Sequence, residues 1–257
     1  MNRISQLFQE KSKDILSVYF CAGDPSLSLT IPTLEALQER GIDMVEIGIP
    51  YSDPVADGVV IQAAASRALK SGTTLVRLFE ELKDVRQRIH IPLVIMGYFN
   101  SVLRYGVERF FAQCQQCGID ACIIPDLPLE EFERWYRPMA ERYGIEMIYL
   151  ITPETSEKRI RQIDAASNAF IYVVSSAAVT GAQQAFDDKR AAYFSRIASL
   201  QLSTPCLVGF GISNKATRSV ADAHLSGVVV GSKFVELLHS TQNPQQAVAQ
   251  LLETLQN

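Results

Sequence analysis

Eight short apolar runs, alternating along the chain with amphipathic segments, constrain the fold of this sequence more than any other feature. Each run is rich in β-branched or aromatic side chains and is too short for a typical helix. The runs span residues 15–20, 44–49, 92–97, 121–125, 146–151, 170–175, 205–210 and 227–231. Between them, apolar residues recur at helical spacing, as Leu75, Leu78, Phe79 and Leu82 do. This alternation predicts an α/β fold in which helices connect the strands of a parallel sheet.

Two architectures fit this alternation, an open doubly wound sheet and a closed (β/α)8 TIM barrel. The count of eight runs, the length of 257 residues and the lack of a Pro-, Gly- or Ser-rich linker favour the barrel. The glycine-rich fingerprint of dinucleotide-binding sheets is missing after the first run, where the sequence reads AGDP (22–25). Ile4, Leu7 and Phe8 predict an extra N-terminal helix. We therefore expect residues 1–257 to form a single barrel domain.

The composition argues against several classes of protein. Hydrophobic residues make up 47% of the chain and the net charge is −4, which is typical of a globular protein without affinity for nucleic acid or anionic membranes. The odd number of cysteines argues against a disulfide scaffold, and Cys114 and Cys117 are interpreted as thiols on consecutive helical turns rather than half a zinc site. No signal peptide or membrane span is apparent. We expect a cytoplasmic protein that binds no metal.

Two carboxylates accompany the second run, one inside it and one in the loop that follows. Glu46 alternates with Val45 and Ile47, so a strand would direct Glu46 into the barrel and the branched residues towards the helices. A buried carboxylate is costly unless it is paired or functional, and from the strand alone the two interpretations are about even. Asp57 is a better candidate for chemistry than Asp53, whose position before a proline suits a turn. Two carboxylates in different environments can act as an acid and a base.

Glycines occupy the loops after the last three runs. Gly211 follows the seventh run, Gly231 and Ser232 follow the eighth, and Gly181 lies after the sixth. Glycine lets backbone N–H groups approach an anion, and barrels of this kind bind phosphate at the loops after strands seven and eight. A single glycine is weak evidence, but two such loops in adjacent units favour a phosphate site.

Aromatic side chains near the strand ends offer a possible apolar slot. They are Tyr19, Tyr98, Tyr172 and Phe210. Each alone is more typical of a core than of a ligand contact. Together with two carboxylates and a phosphate site, and with no well-placed histidine or metal-binding cluster, they indicate proton transfer on a phosphorylated small molecule.

Several motifs resemble one family in the same order along essentially the whole chain. They are AGDP (22–25), VEIGIPYSDPVADGVVIQ (45–62), VTG (179–181), GFGIS (209–213) and GS (231–232). The chain is similar in these motifs to the tryptophan synthase alpha chain family, and the second motif is highly specific. The resemblance implies a (β/α)8 lyase of tryptophan biosynthesis. Its reaction would be the retro-aldol cleavage of indole-3-glycerol phosphate to indole and glyceraldehyde 3-phosphate.

The resemblance also implies roles for individual residues. Glu46 would transfer the protons, Asp57 would hydrogen-bond the indole N–H, and Thr180 would touch Asp57 when the loops close. Substrate contacts would come from Tyr19, Tyr98, Tyr172, Thr180, Gly181, Phe210, Gly211, Gly231 and Ser232. Three residues, Cys21, Val59 and Ala178, stand where the family usually has threonine, proline and glycine.

The family acts in complex with a β chain, which carries pyridoxal phosphate. The resemblance therefore implies an α2β2 heterotetramer and no cofactor on this chain. Asp53, Pro54 and the stretch 98–102 resemble surfaces that meet the β chain. Two other functions remain as alternatives, a non-catalytic α chain that activates its partner and a phosphate-binding barrel enzyme of another specificity. The presence of both carboxylates argues against the first, and the SDPVADG loop (52–58) argues against the second.

Overall fold

Eight parallel strands close into a barrel in the order in which they occur along the chain, with β1 paired to β8. The computed structural model describes residues 2–175, 183–209 and 211–256, and describes only the backbone of residues 183–188. The strands are β1 Ile15–Cys21, β2 Met44–Gly48, β3 Leu93–Met96, β4 Ala121–Ile123, β5 Glu146–Ile151, β6 Ile171–Val174, β7 Cys206–Gly209 and β8 Gly227–Val230. All eight predicted strands are confirmed, with boundaries within two residues of those expected.

Helices connect the strands around the outside of the barrel, as a (β/α)8 fold requires. They are α1 Arg3–Glu10, α2 Thr30–Glu39, α3 Val59–Lys70, α4 Leu75–Leu82, α5 Phe99–Tyr105, α6 Val107–Gln116, α7 Leu129–Glu131, α8 Arg137–Arg142, α9 Glu157–Ala166, α10 Gln183–Ser199, α11 Lys215–Asp222, α12 Ser232–Thr241 and α13 Pro244–Gln256. A π-helical turn, Phe132–Tyr136, joins α7 to α8.

Strand alternation sorts the buried side chains into two layers, as the sequence predicts. On β2, Met44 belongs to the cluster inside the barrel, whereas Val45 and Ile47 belong to the cluster between the strands and the helices. On β1, Tyr19 points inward and Val18 outward in the same way. Successive residues of a strand face opposite sides, so each branched side chain packs on a helix. Polar residues in the inward phase are thereby brought together inside the barrel.

The extra helix α1 closes the amino end of the barrel, and its prediction is confirmed. Ile4 is completely buried in the interior cluster, and the Phe8 ring lies 6.3 Å from the Phe170 ring at the start of β6. Arg3 forms an ion pair with Asp120, just before β4. The strands' carboxyl ends, where barrel enzymes place their active sites, lie at the opposite end.

The cysteines are free and buried, which agrees with the absence of a disulfide scaffold predicted from their number. Cys114 lies in α6 and Cys117 directly follows it, so the two thiols lie one helical turn apart. Burial raises the pKa of the Cys117 thiol to about 11, so it is not a reactive thiolate at neutral pH. Among residues 2–175, 183–209 and 211–256 there is no cluster with the makings of a metal site, and no helix is long and apolar enough to cross a membrane.

Asp120 connects three parts of the barrel's amino end, and we expect its loss to be strongly destabilising. Its carboxylate accepts hydrogen bonds from Arg86 at 2.6 Å, from Arg3 at 3.0 Å and from the Leu93 backbone at 2.9 Å. Removing one partner of a buried ion pair leaves the other uncompensated, so Asp120→Ala should cost about 3 kcal/mol of unfolding free energy in a urea titration. Glu35→Ala, which breaks a more exposed ion pair, should cost less than about 1 kcal/mol. Equal losses for the two variants would contradict this account.

Candidate active site

A cavity at the carboxyl end of the barrel brings together most of the residues predicted to form the site. Six of them line it: Tyr19, Asp57, Tyr172, Gly211, Gly231 and Ser232. Glu46 lies on β2, where its backbone is in register with that of Tyr19 on β1. Residues from loops that are distant in sequence thus face one volume, as expected for a barrel active site.

Glu46 lies completely buried inside the barrel. The hydroxyl of Ser17 donates a hydrogen bond to Oε1 at 3.3 Å, while Oε2 has no partner in the described part of the chain. Burial disfavours the charged form and raises the pKa of the Glu46 carboxyl to about 8, although the hydrogen bond from Ser17 lowers it. Near neutral pH both protonation states are accessible, which suits a group that must give and take a proton.

Asp57 is held in the loop between β2 and α3 by Tyr98. The Tyr98 hydroxyl donates to Oδ2 at 2.9 Å and accepts from the backbone N–H of Ala56, also at 2.9 Å. The Tyr51 ring stacks on Tyr98 with centroids 5.1 Å apart. Tyr98, predicted to contact substrate, thus reaches the site through its bond to Asp57.

The Asp57 carboxylate has one oxygen held and the other open to a further contact. Oδ1 is buried and lacks a partner among the residues that the structure describes. Burial raises the pKa of Asp57, and the hydrogen bond from Tyr98 lowers it. Since one oxygen is already fixed, the carboxylate can accept a hydrogen bond from a ligand without reorienting.

Tyr19 and Tyr172 occupy equivalent places on two different strands. Each tyrosine hydroxyl lies over a glycine of the next strand, and a β-carbon would come within 2.1 Å of it at Gly48 and within 1.9 Å at Gly209. The glycines therefore make room for the rings. Both tyrosines are buried, which raises their pKa values and keeps the hydroxyls neutral. The need for glycine at these two positions was not predicted from the sequence. The pattern that would have indicated it is a glycine in a strand next to a strand that carries an inward-facing tyrosine.

The loops after β7 and β8 lie on another side of the cavity. Gly211 has a φ of +72°, which favours glycine, and a β-carbon there would lie 2.2 Å from Nη2 of Arg190. Ser232 begins α12 and Gly231 directly precedes it, so that backbone N–H groups at the start of the helix are available to an anion. Lys233 lines the same cavity but was missed, although a lysine directly after a glycine–serine pair was a visible signal.

Four residues named in the sequence analysis, Ala178, Thr180, Gly181 and Phe210, lie outside the described residues. Asp53, interpreted as a turn residue, is exposed and accepts a hydrogen bond from the Ser52 hydroxyl at 2.5 Å. Val59 is the first residue of α3, and its side chain is 78% exposed to solvent. A valine in place of the family's proline therefore changes no buried contact here.

A salt bridge ties the loop after β1 to α3. Asp24, which is nearly buried, accepts two hydrogen bonds of 2.8 Å from the Arg67 guanidinium. The helix α3 begins directly after the loop that carries Asp57. This bidentate contact to its last turn therefore holds the helix that follows the loop.

Comparison with known proteins agrees with this geometry. A family model described as the tryptophan synthase alpha chain matches residues 5–257. The chain belongs to this family. It is 53% identical over 255 residues to the tryptophan synthase alpha chain of Bacteroides thetaiotaomicron, covering 99% of this chain and 100% of the relative. The relative from Parabacteroides distasonis is 55% identical over 255 residues, covering 99% of each chain.

Solved structures give the same result. The tryptophan synthase subunit alpha of Legionella pneumophila superposes with a TM-score of 0.88 at 31% identity, over 99% of this chain and 97% of that one. A chain from the aminoacrylate-bound tryptophan synthase of M. tuberculosis superposes with a TM-score of 0.84 at 27% identity, over 99% and 98%. Family membership makes the chain a lyase of tryptophan biosynthesis, whose reaction is the cleavage of indole-3-glycerol phosphate.

We expect the buried Glu46 carboxyl to make the protein less stable as the pH rises. Its pKa is raised from 4.5 to about 8 on folding, so the folded state holds the proton more tightly and loses stability as the pH rises from about 4.5 through 8. Glu46→Gln does not titrate and should therefore gain in Tm over the wild type, by roughly 5 °C or more at pH 9 and by little at pH 5. Exposed Glu80→Gln should show no such difference by calorimetry. A difference in Tm between Glu46→Gln and the wild type that did not change with pH would contradict the raised pKa of Glu46.

Proposed function

We propose that Glu46 performs both proton transfers of the cleavage reaction in this chain. The Glu46 carboxylic acid gives its proton to the indole ring carbon that carries the side chain. The resulting carboxylate then takes the proton of the neighbouring side-chain hydroxyl as the carbon–carbon bond breaks and the carbonyl forms. The bonding electron pair returns to the ring, releasing indole and the aldehyde, and Glu46 is protonated again. The observation that carries this proposal is a fully buried carboxyl with a pKa of about 8 and one oxygen lacking a partner among the described residues.

Asp57 has a different role in the proposal. Its Oδ1 would accept a hydrogen bond from the indole N–H and stabilise the positive charge that protonation places on the ring. The contact from Tyr98 to Oδ2 supports this role because it orients the carboxylate before substrate arrives. Tyr19 and Tyr172 would hold the indole ring between them in the cavity, and Thr180 would contact Asp57 when the loop after β6 closes.

The substrate phosphate would bind to backbone N–H groups at Gly181, Phe210, Gly211, Gly231 and Ser232. The start of α12 supports this assignment because aligned peptide dipoles attract an anion. The positive φ of Gly211 lets the chain turn sharply at the edge of the cavity.

The proposal also includes a partner. A β chain would hold pyridoxal phosphate and form an α2β2 heterotetramer with this chain, which itself needs no cofactor. Val55 on the loop after β2 and Leu103 on α5 are 83% and 55% exposed. Both adjoin the segments expected to meet the β chain, so burying these apolar side chains against a partner would favour the complex. We propose in addition that residues 1–257 form one catalytic domain and that the protein is cytoplasmic.

Indole release from indole-3-glycerol phosphate tests the roles of the two carboxylates. Purified protein should be assayed with and without a tryptophan synthase β chain. Glu46→Gln should lose activity by about 10²–10⁴-fold, since it can neither donate nor accept the proton, and Asp57→Asn should lose less. Exposed Glu80→Gln is the matched control and should match the wild type.

The outcomes separate the parts of the proposal. No indole from the wild type in the presence of the partner would reject the catalytic function and favour an α chain that only activates its partner. Full activity of Glu46→Gln would reject the role of Glu46 alone.

Lys233 offers a separate prediction for the phosphate site. Its side chain lines the cavity beside Gly231 and Ser232, so its charge should favour the dianionic substrate phosphate. Lys233→Met should raise KM about fivefold and weaken the dependence of KM on salt, while kcat stays near the wild-type value. Lys158→Met, at an exposed position on α9, should leave the kinetics unchanged. An unaltered KM in Lys233→Met would show that backbone groups alone bind the phosphate.

A further inference from the structure

Strand β1 places a serine, Ser17, inside the barrel. It lies in the inward phase with the apolar side chains of Ile15 and Cys21, and it is completely buried. A buried hydroxyl is costly unless it forms a hydrogen bond. Within the described ranges, the side-chain hydroxyl of Ser17 has one partner, Oε1 of Glu46 at 3.3 Å.

The strand register shows from which direction Ser17 reaches Glu46. Ser17 is paired with Met44 on β2, whereas Tyr19 is paired with Glu46 itself. Ser17 thus lies two residues nearer the amino end of the barrel than the backbone of Glu46. The cavity opens at the carboxyl ends of the strands, and the Ser17 hydroxyl contacts the carboxylate from the opposite side.

We propose that Ser17 is a positioning residue for Glu46, whose Oε1 it holds from the amino end of the barrel so that Oε2 is left for the substrate. The proposal rests on the proton-transfer role proposed above for Glu46. A glutamate has several rotatable bonds, and a carboxylate with both oxygens unpaired would have no preferred orientation inside the barrel. One fixed oxygen limits the positions of the other.

The same hydrogen bond affects the titration of Glu46. A donor stabilises the charged carboxylate, so the bond from Ser17 lowers a pKa that burial has raised. Removing the hydroxyl should raise the pKa of Glu46 further. The alkaline limb of the pH profile of kcat/KM, above which Glu46 has lost its proton in the free enzyme, should then move to higher pH.

Other titratable groups near Glu46 do not produce this shift. Tyr19 from β1 and Tyr172 from β6 have pKa values raised by burial, so they remain neutral over the range in which Glu46 titrates. Asp57 approaches from the loop after β2 and is bound by Tyr98 rather than by Ser17. On the β3 side, the residue in register with Glu46 is the apolar Val94. A change confined to Ser17 therefore tests its bond to Glu46.

Steady-state kinetics of the complex with a β chain, from pH 6 to 10 and with indole release as the readout, provide the test. Ser17→Ala should lower kcat by about three- to tenfold, leave KM within about twofold, and move the alkaline limb up by about half a pH unit. Ser17→Thr keeps the hydroxyl and should restore the limb and most of kcat. Thr33→Val removes a buried hydroxyl from α2, outside the strand layer, and should change none of these quantities.

Each result supports or overturns the positioning role. A wild-type kcat and pH profile in Ser17→Ala would overturn it. So would a lower kcat with an unshifted limb that Ser17→Thr does not rescue, because that pattern belongs to altered packing alone. If Ser17→Ala does not fold, Ser17→Cys supplies a weaker donor of similar size and should give a smaller shift in the same direction. An unshifted limb in a folded Ser17→Cys would overturn the role as well.

The Glu46→Gln variant distinguishes failure of the proton-transfer proposal from failure of the positioning role of Ser17. If Glu46→Gln keeps full activity, the proton-transfer proposal fails, and the positioning role fails with it. If Glu46→Gln is inactive while Ser17→Ala behaves as the wild type, only the positioning role fails.

Discussion

The Glu46 carboxyl group lies wholly inside a closed barrel, where, among the residues that the structure describes, one long hydrogen bond from Ser17 offsets its removal from water. Burial disfavours the charged carboxylate and therefore raises the pKa of Glu46 to about 8. Much of the surrounding structure supports this arrangement. Eight strands close around the group, α1 covers the amino end of the barrel, and access remains from the carboxyl end.

Two further constraints give the cavity its shape. Tyr19 and Tyr172 fit within the barrel because Gly48 and Gly209 leave no β-carbon beneath their hydroxyls. Asp57 is on a loop, yet Tyr98 from the next unit holds it by a direct hydrogen bond. Catalytic groups on loops require such support from neighbouring elements to be oriented before the substrate binds. Glu46 is therefore positioned by a rigid strand, whereas Asp57 lies on a loop and is positioned by Tyr98.

Much of this arrangement was predictable from local patterns. The strands, the additional α1 and the inward direction of Glu46 all followed from the spacing of apolar residues, because strand alternation and helical periodicity are local properties. The family followed from motifs such as the one around Asp57. Ser17, Lys233 and the two glycines beneath the tyrosines were missed, since each acquires its significance only from a residue on another strand or loop.

Local patterns along the chain are enough to predict the number and order of the strands, the face of β2 on which Glu46 lies, and the family to which the chain belongs. The groups that surround the carboxylates become visible only in the folded barrel: Ser17 beside Glu46 and Tyr98 beside Asp57. This is because alternation fixes the direction of a side chain within its own strand, whereas the register between strands and the course of the loops determine its contacts. The raised pKa of Glu46 depends on the same closure, because burial exists only once all eight strands have come together.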